Sequence, residues 1–269
     1  MFQIINLKVT ELLDEFFKYT FISKNDHLLV HSNITNLIRT FKKKKIFFVP
    51  ENIIDFLINK VGEKGSISFP TFNFDFCHDH YYSVNKTISK MGILSETARK
   101  MSFGKRTWNP VYSFKCFGNI PCSEIRKKNL SALGKDSLFG WLTKNEGKII
   151  LINVQDQNSM TIYHHFEEIK KVHWRYYKNF EGNYENEDNK IEKVNTKIYV
   201  RKEQEGIITD VSGMEKILWS KNLYNSYKKF NNSNARSIKI SKVKKEINYI
   251  IDNNLSEGIL YKKKFRVSD

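Results

Sequence analysis

The sequence is poor in residues that cross-link, break or bend a chain. Its 269 residues hold three Cys, four Pro and twelve Gly. These counts exclude a disulfide scaffold, a proline-rich spacer and a collagenous chain. Cys77, Cys116 and Cys122 are an odd set without Cys-x-x-Cys spacing, so no zinc site is expected either. No apolar run nears the roughly 18 residues that cross a bilayer, and no internal repeat is visible. The signatures GxxxxGK(S/T), GxGxxG, GxSxG and HExxH are missing. Their absence removes P-loop phosphate binding, an ordinary dinucleotide fold, an α/β-hydrolase and a zinc protease. The first residues, MFQIINLKVTELLDEFF, carry acids early and read as an amphipathic helix, not a signal peptide. A reducing cytoplasm is the expected compartment.

What the chain does have is a core and a charge. Apolar residues make up 40% of it, enough for a buried core, so disorder is not expected. Lys and Arg number 45 against 29 Asp and Glu, a formal net charge of +16. Such an excess predicts an anionic partner: nucleic acid, a membrane surface or a phosphorylated small molecule. Part of the charge is local. Lys42 to Lys45 are consecutive, and residues 228–269 hold eleven Lys or Arg against four Asp or Glu. The aromatics are not grouped as in RNA-binding strands, and no zinc-finger or helix-turn-helix pattern occurs, which speaks against nucleic acid.

Short apolar runs alternate with helical stripes. Residues 28–30, 66–69, 112–117 and 148–154 read as strands. Glu51 to Val61, then 93–101, 137–142 and 160–171, read as helices, with Ser137 as an N-cap. The alternation predicts an α/β fold: a single layered α/β/α domain around a mixed, mostly parallel sheet. Residues 172–205 turn polar and aromatic and read as a hairpin of 176–180 against 197–200. Residues 214–230 suggest a helix and 238–240 a late strand. On this reading 181–269 form a hairpin and a C-terminal β/α extension to a core over 5–180.

Ligands of α/β folds sit where strands end. Three segments stand there: His31-Ser32-Asn33, Pro70-Thr71-Phe72-Asn73, and Thr161 to Glu168 on the helix after KIILINV. In the last, His164 and Glu167 are three residues apart and share a helix face. A carboxylate beside an imidazole fixes its tautomer and raises its basicity, as a general base requires. The same spacing also makes a plain surface ion pair. His165 points roughly 100° away and is expected to be a bystander. The cysteines lack an activating neighbourhood and are expected to be structural.

In chain order, LLVHSN (28–33), GSISFPTF (65–72), MGILSETARK (91–100), RTWNPVYSF (106–114), GKDSLFGWL (134–142), GKIILINV (147–154) and MTIYHHFEE (160–168) together resemble the aminoglycoside 3-N-acetyltransferase family. The resemblance implies an α/β domain that binds acyl-coenzyme A and passes the acyl group to a sugar amine, without a metal. The family's T-x-x-H-x-x-E pattern maps onto Thr161, His164 and Glu167, which makes His164 the base and Glu167 its support. The HSN and PTF segments map onto the walls of the coenzyme and active-site cleft. His31, Ser32, Asn33, Thr71 and Phe72 are therefore expected there, with Arg39 and the Lys42 to Lys45 run near the phosphates. Ser113 maps to a serine beside the thioester and is a candidate oxyanion donor, as is Thr71. One departure is plain. Where resistance enzymes of the family carry H-P-x-H-S, this chain has Asn109-Pro110-Val111-Tyr112-Ser113. Asn109 and Tyr112 are expected to face the acceptor.

The charge bears on that acceptor. Aminoglycosides are polycations, and a basic chain disfavours them at long range. The expected acceptor is a nucleotide-linked amino sugar of the dTDP-amino-deoxyhexose type, as used in surface polysaccharide synthesis. Arg175 and Lys178, beside Trp174, Tyr176 and Tyr177, would hold its phosphates. The alternatives are an aminoglycoside acceptor, a family member without catalysis, and a non-enzymatic nucleic-acid-binding protein. The amine is expected to attack the thioester directly while His164 removes its proton. Monomer and dimer both stay open.

Overall fold

The computed structural model of the chain describes residues 7–226 and 234–264. Its first half runs α1 (Leu7–Phe17), β1 (His27–Ser32), α2 (Thr35–Lys43), α3 (Glu51–Val61), β2 (Ser66–Pro70), α4 (Phe76–Asp79), β3 (Tyr81–Ser83), α5 (Ile93–Lys100), β4 (Lys105–Arg106) and β5 (Phe114–Gly118). The second half runs α6 (Cys122–Ile125), α7 (Leu138–Lys144), β6 (Lys148–Ile152), α8 (Ile162–Ile169), β7 (Arg175–Glu185), β8 (Ile191–Arg201), β9 (Ile207–Thr209), α9 (Ser212–Ser220), β10 (Ala235–Lys239), α10 (Ile240–Asp252) and β11 (Tyr261–Lys263).

Six strands form a central sheet in the order β10-β6-β1-β2-β5-β4. Pairing is parallel across β6, β1 and β2 and antiparallel where β10, β5 and β4 join. The sheet is mixed, as expected, with its parallel part confined to the three central strands. Neighbouring residues of a strand face opposite sides of the sheet. Leu28 and Val30 of β1, with Ile150 and Ile152 of β6, pack on Leu13, Leu37 and Leu57 of α1, α2 and α3. Leu29, Ile149 and Leu151 face the other way, toward Phe139 of α7, Phe166 of α8 and Ile247 of α10. Strands covered on both faces need apolar residues at every position, which is why they read as continuous runs.

The hairpin is longer than expected. β7 and β8 pair over eleven residues each, from Arg175 opposite Arg201 to Glu185 opposite Ile191. β7 is largely exposed, while β8 buries Thr196, Ile198 and Tyr199, so only part of the hairpin carries an apolar pattern in the sequence. β3 joins β7 in a second, three-stranded sheet. This sheet lies tight against α4: a Cβ at Gly182 would come within 2.5 Å of the His80 carbonyl oxygen. The helix expected over 214–230 is α9, which stops at Ser220; 227–230 fall outside the described residues. The late strand is β10, built into the core sheet beside β6, and Ile240 already opens α10. Among the described residues no helix is long and apolar enough to cross a membrane.

One buried network fixes where α8 begins. Asp156, in the turn after β6, is almost wholly buried. Its carboxylate accepts hydrogen bonds from the hydroxyl of Tyr163 on α8, from the hydroxyl of Tyr224 at 2.6 Å and from Nη2 of Arg236 on β10 at 3.0 Å. Arg236 also meets Glu215 of α9 at 3.0 Å. Replacing Asp156 by Ala leaves two buried phenols without their acceptor and Arg236 with Glu215 as its remaining carboxylate. The expected cost is about 2–4 kcal/mol, read as a lower midpoint in urea unfolding.

Candidate active site

α8 follows β6 directly, so its side chains reach the carboxyl ends of the parallel strands, where such sheets bind ligands. His164 Nδ1 lies 2.7 Å from Glu167 Oε2, one turn along the helix. The Glu167 carboxylate is buried, and its Oε1 accepts a hydrogen bond from Trp174 Nε1 at 3.0 Å. Arg175, the first residue of β7, brings Nε to 2.8 Å from Glu167 Oε2 and Nη2 to 2.8 Å from His164 Nδ1. Its Nη1 donates to the Tyr199 carbonyl at 3.1 Å and its Nη2 to the Thr209 hydroxyl at 3.2 Å. We assign the imidazole proton to Nδ1, because that nitrogen faces a carboxylate; Nε2 then holds a free lone pair.

Electrostatics agree with that assignment. Burial and the Arg175 guanidinium push the His164 pKa below 6.5, against the pull of Glu167. Burial alone would raise the Glu167 carboxyl. Arg175 and the hydrogen bonds from His164 and Trp174 outweigh it and hold the group below its usual range. At neutral pH the pair is therefore a carboxylate and a neutral imidazole, the state a base needs.

His164 opens into a cavity of about 470 Å³. Tyr112, Arg175 and Lys178, all expected at the site, line it too. Cys77, Tyr199, Arg201, Glu203 and Thr209 also line it and were not anticipated. Burial pushes the Cys77 thiol up to about 11 and the Tyr112 phenol up to about 12, so both stay protonated. His165 is a core residue, as expected: its Nδ1 lies 2.6 Å from the Leu133 carbonyl, under Phe139 and Phe166.

Ser113, Thr71, Phe72 and Asn109 are among the expected residues that do not line this cavity. Ser113 is fully buried; its hydroxyl donates to the Thr71 carbonyl at 3.1 Å and accepts from Arg106 Nε at 3.0 Å. The Thr71 hydroxyl lies 2.9 Å from Ser113 Oγ and 3.1 Å from the same Nε. Both hydroxyls are fully buried and donate inside the protein, Ser113 to the Thr71 carbonyl and Thr71 to Ser113 Oγ, so neither serves the expected role of oxyanion donor in this cavity. Phe72 is core, packed edge-on against Tyr112 at 4.8 Å. Asn109 is a turn residue: its Oδ1 accepts the Val111 and Tyr112 N–H groups at 3.0 and 2.9 Å, and its Nδ2 donates to Thr196 Oγ1 at 3.1 Å. It shapes the site only by placing Tyr112.

The HSN segment closes β1. His31 Nε2 and Ser32 Oγ are buried without a hydrogen-bond partner. Burial pushes His31 down to about 4, so its ring is neutral. Asn33 is exposed and its Oδ1 accepts the Thr35 N–H of α2 at 3.1 Å. Arg39 is exposed one turn further on, 3.5 Å from Asn36. α5 also begins here: Gly92 has φ +92°, and a Cβ on it would lie 3.5 Å from the Ser32 carbonyl oxygen. Two helix N-termini meeting unpartnered polar atoms at one strand end fit a phosphate-bearing cofactor.

An imidazole paired with a carboxylate and opening into a cavity fits a group-transfer enzyme whose acceptor must lose a proton. The profile of the aminoglycoside 3-N-acetyltransferase family matches residues 29–249. The chain belongs to this family and is a coenzyme A-dependent N-acyltransferase. Similar solved structures include AAC-IIIb in a binary complex with CoASH, 14% identical with a TM-score of 0.73 over 93% of this chain and 97% of that one. AAC(3)-Xa is 13% identical, with a TM-score of 0.74 over 90% and 92%. YokD from Bacillus subtilis is 19% identical, with a TM-score of 0.70 over 91% and 99%. No curated protein sequence matches. The family match overturns the expectation of a nucleotide-linked amino sugar. That expectation rested on net charge, which sums the whole surface, Lys-rich segments included, and does not describe one cleft.

The ionisation of His164 can be tested directly. Its ring should titrate below 6.5 by NMR, so the neutral form persists at pH 6.5 and is lost only at lower pH. Glu167→Gln removes the group that raises this pKa, so the titration should move lower still.

Proposed function

We propose that the chain N-acetylates an amino group of an aminoglycoside, with acetyl-coenzyme A as donor and His164 as general base. The observation that carries this reading is the His164–Glu167 pair, held by Arg175 and opening into a cavity at the strand ends of a family member. An acceptor ammonium must lose a proton before its nitrogen can attack a carbonyl carbon. His164 Nε2 takes that proton, and Glu167 stabilises the imidazolium that results. The coenzyme supplies an activated acyl carbon and a thiol leaving group. Its phosphates would be held by the N-termini of α2 and α5 and by the polar atoms of His31 and Ser32, with Arg39 and Lys42 to Lys45 nearby in the chain. Tyr112 and Tyr199 offer sugar-binding faces in the cavity. We read the whole chain, 1–269, as one acyltransferase domain, since β10 belongs to the core sheet. Dependence on acetyl-coenzyme A supports a cytoplasmic setting.

Release of free thiol from acetyl-coenzyme A, dependent on an aminoglycoside, tests the activity. His164→Asn should lower turnover roughly 10²–10⁴-fold, the usual contribution of a general base. Near-normal turnover in that variant would overturn the assignment. Charge in the cavity gives a second test. Glu203 is the carboxylate in its lining, and Lys178 opposes a cationic acceptor. Lys178→Glu should lower KM for the aminoglycoside and leave KM for acetyl-coenzyme A unchanged.

A further inference from the structure

We infer that Arg175 is a positioning residue for the base: it holds Glu167 to receive the His164 Nδ1 proton, so that Nε2 is the atom turned to the acceptor. The inference rests on the acetyl-transfer reading above. It replaces the expectation that Arg175 binds substrate phosphate, because the side chain is buried and spent inside the protein.

The geometry has two sides. Toward α8, the guanidinium meets Glu167 and His164, each at 2.8 Å. Away from it, the same group is pinned to the Tyr199 carbonyl on β8 and the Thr209 hydroxyl on β9. Its place is thus set by the hairpin and imposed on the helix. A planar fork can reach Glu167, the Tyr199 carbonyl and the Thr209 hydroxyl at once; a lysine ammonium at this position is a single point and cannot span them. Glu167 needs that hold. Its Oε1 already belongs to Trp174, and rotation about its last torsion, a soft one, would take Oε2 away from Nδ1. Without an acceptor at Nδ1, the imidazole has no preferred tautomer and no fixed ring orientation.

Nη2 and Nδ1 both carry hydrogen, so Arg175 makes no hydrogen bond to the resting ring. Its charge instead opposes protonation of that ring. Few neighbours share this effect. Glu167, on the same helix, pulls the other way, and Arg201 of β8 acts like Arg175 but less strongly. Arg201 is itself paired with Glu203. Lys178 of β7 and His78 of α4 stand further along the cavity wall, and Tyr112 and Cys77 stay neutral. Removing Arg175 therefore does two things: it releases Glu167, and it lets the ring keep its proton to higher pH.

The test uses the full chain with Arg175→Lys, Arg175→Met and Arg175→Ala. A loss in kcat of roughly 10²-fold is expected, the scale of a misplaced reacting group, with both KM values little changed. The acid limb of kcat should move to higher pH in Arg175→Met and Arg175→Ala, which lack the charge, and added guanidinium ion should restore part of the activity of Arg175→Ala but none to His164→Asn. An unmoved acid limb with no rescue, in variants whose unfolding midpoint is normal, overturns the inference. So does a raised acceptor KM at unchanged kcat, which would mark a substrate-binding residue. If the unaltered chain releases no thiol with any aminoglycoside, the acetyl-transfer reading fails instead. The NMR titration of His164 in Arg175→Met, which removes the charge, then still decides: an upward shift supports the inference, and no shift rejects it.

Discussion

The active site is organised by one buried negative charge. A carboxylate removed from water needs cations or hydrogen-bond donors, or it takes up a proton and ceases to be useful. Glu167 meets this demand with three groups from three places: His164 on its own helix, Trp174 in the following turn and Arg175 at the start of β7. Each partner is in turn fixed by the charge it serves. The imidazole gains a tautomer, and the turn after α8 gains a conformation. The solvent-washed hairpin gains a reason to return to the strand ends of the core sheet. At rest, Glu167 and Arg175 cancel and the ring is neutral. When the ring takes a proton the group carries one net positive charge in a confined place, which favours handing the proton on.

The same logic operates at the other end of α8. This helix has eight residues, too few to hold itself by propensity alone. Asp156 secures its start through Tyr163, Tyr224 and Arg236, and Glu167 secures its end. Two buried carboxylates, each matched by an arginine from a different strand, keep the base in register with the cavity. Arg106 is the counterpart with the sign reversed. No carboxylate is bonded to it; the Thr71 and Ser113 hydroxyls and the Val84, Thr87 and Thr71 carbonyls surround it instead. That arrangement holds the edge of the sheet and uses up the hydroxyls that looked catalytic.

How much was legible in the sequence depends on where the information lay. β1 and β6 declared themselves because both of their faces are covered, and His164 with Glu167 because helix geometry joins residues three apart. β7 and β8 did so only in part: 176–180 against 197–200 read as a hairpin and do pair, while the rest of the ladder is mostly exposed and carries little apolar pattern. Ser113 and Thr71 were misassigned because their partner, Arg106, comes from another segment and no local spacing announces it. Arg175 was noticed as a cation, but its contacts to Tyr199 and Thr209 exist only once three strands have met. The acceptor was misjudged because a whole-chain charge was used to describe one pocket.

Trp174, which steadies Glu167, is itself stacked on Tyr261 of β11 at 4.7 Å. β11 pairs with β9, the strand whose Thr209 anchors Arg175. Both supports of the base are therefore backed by a strand far downstream of the helix that carries it. The histidine and glutamate are neighbours on one short helix, yet what steadies them is a two-stranded ladder formed by distant parts of the chain, so the base is a product of tertiary structure and not of its own segment.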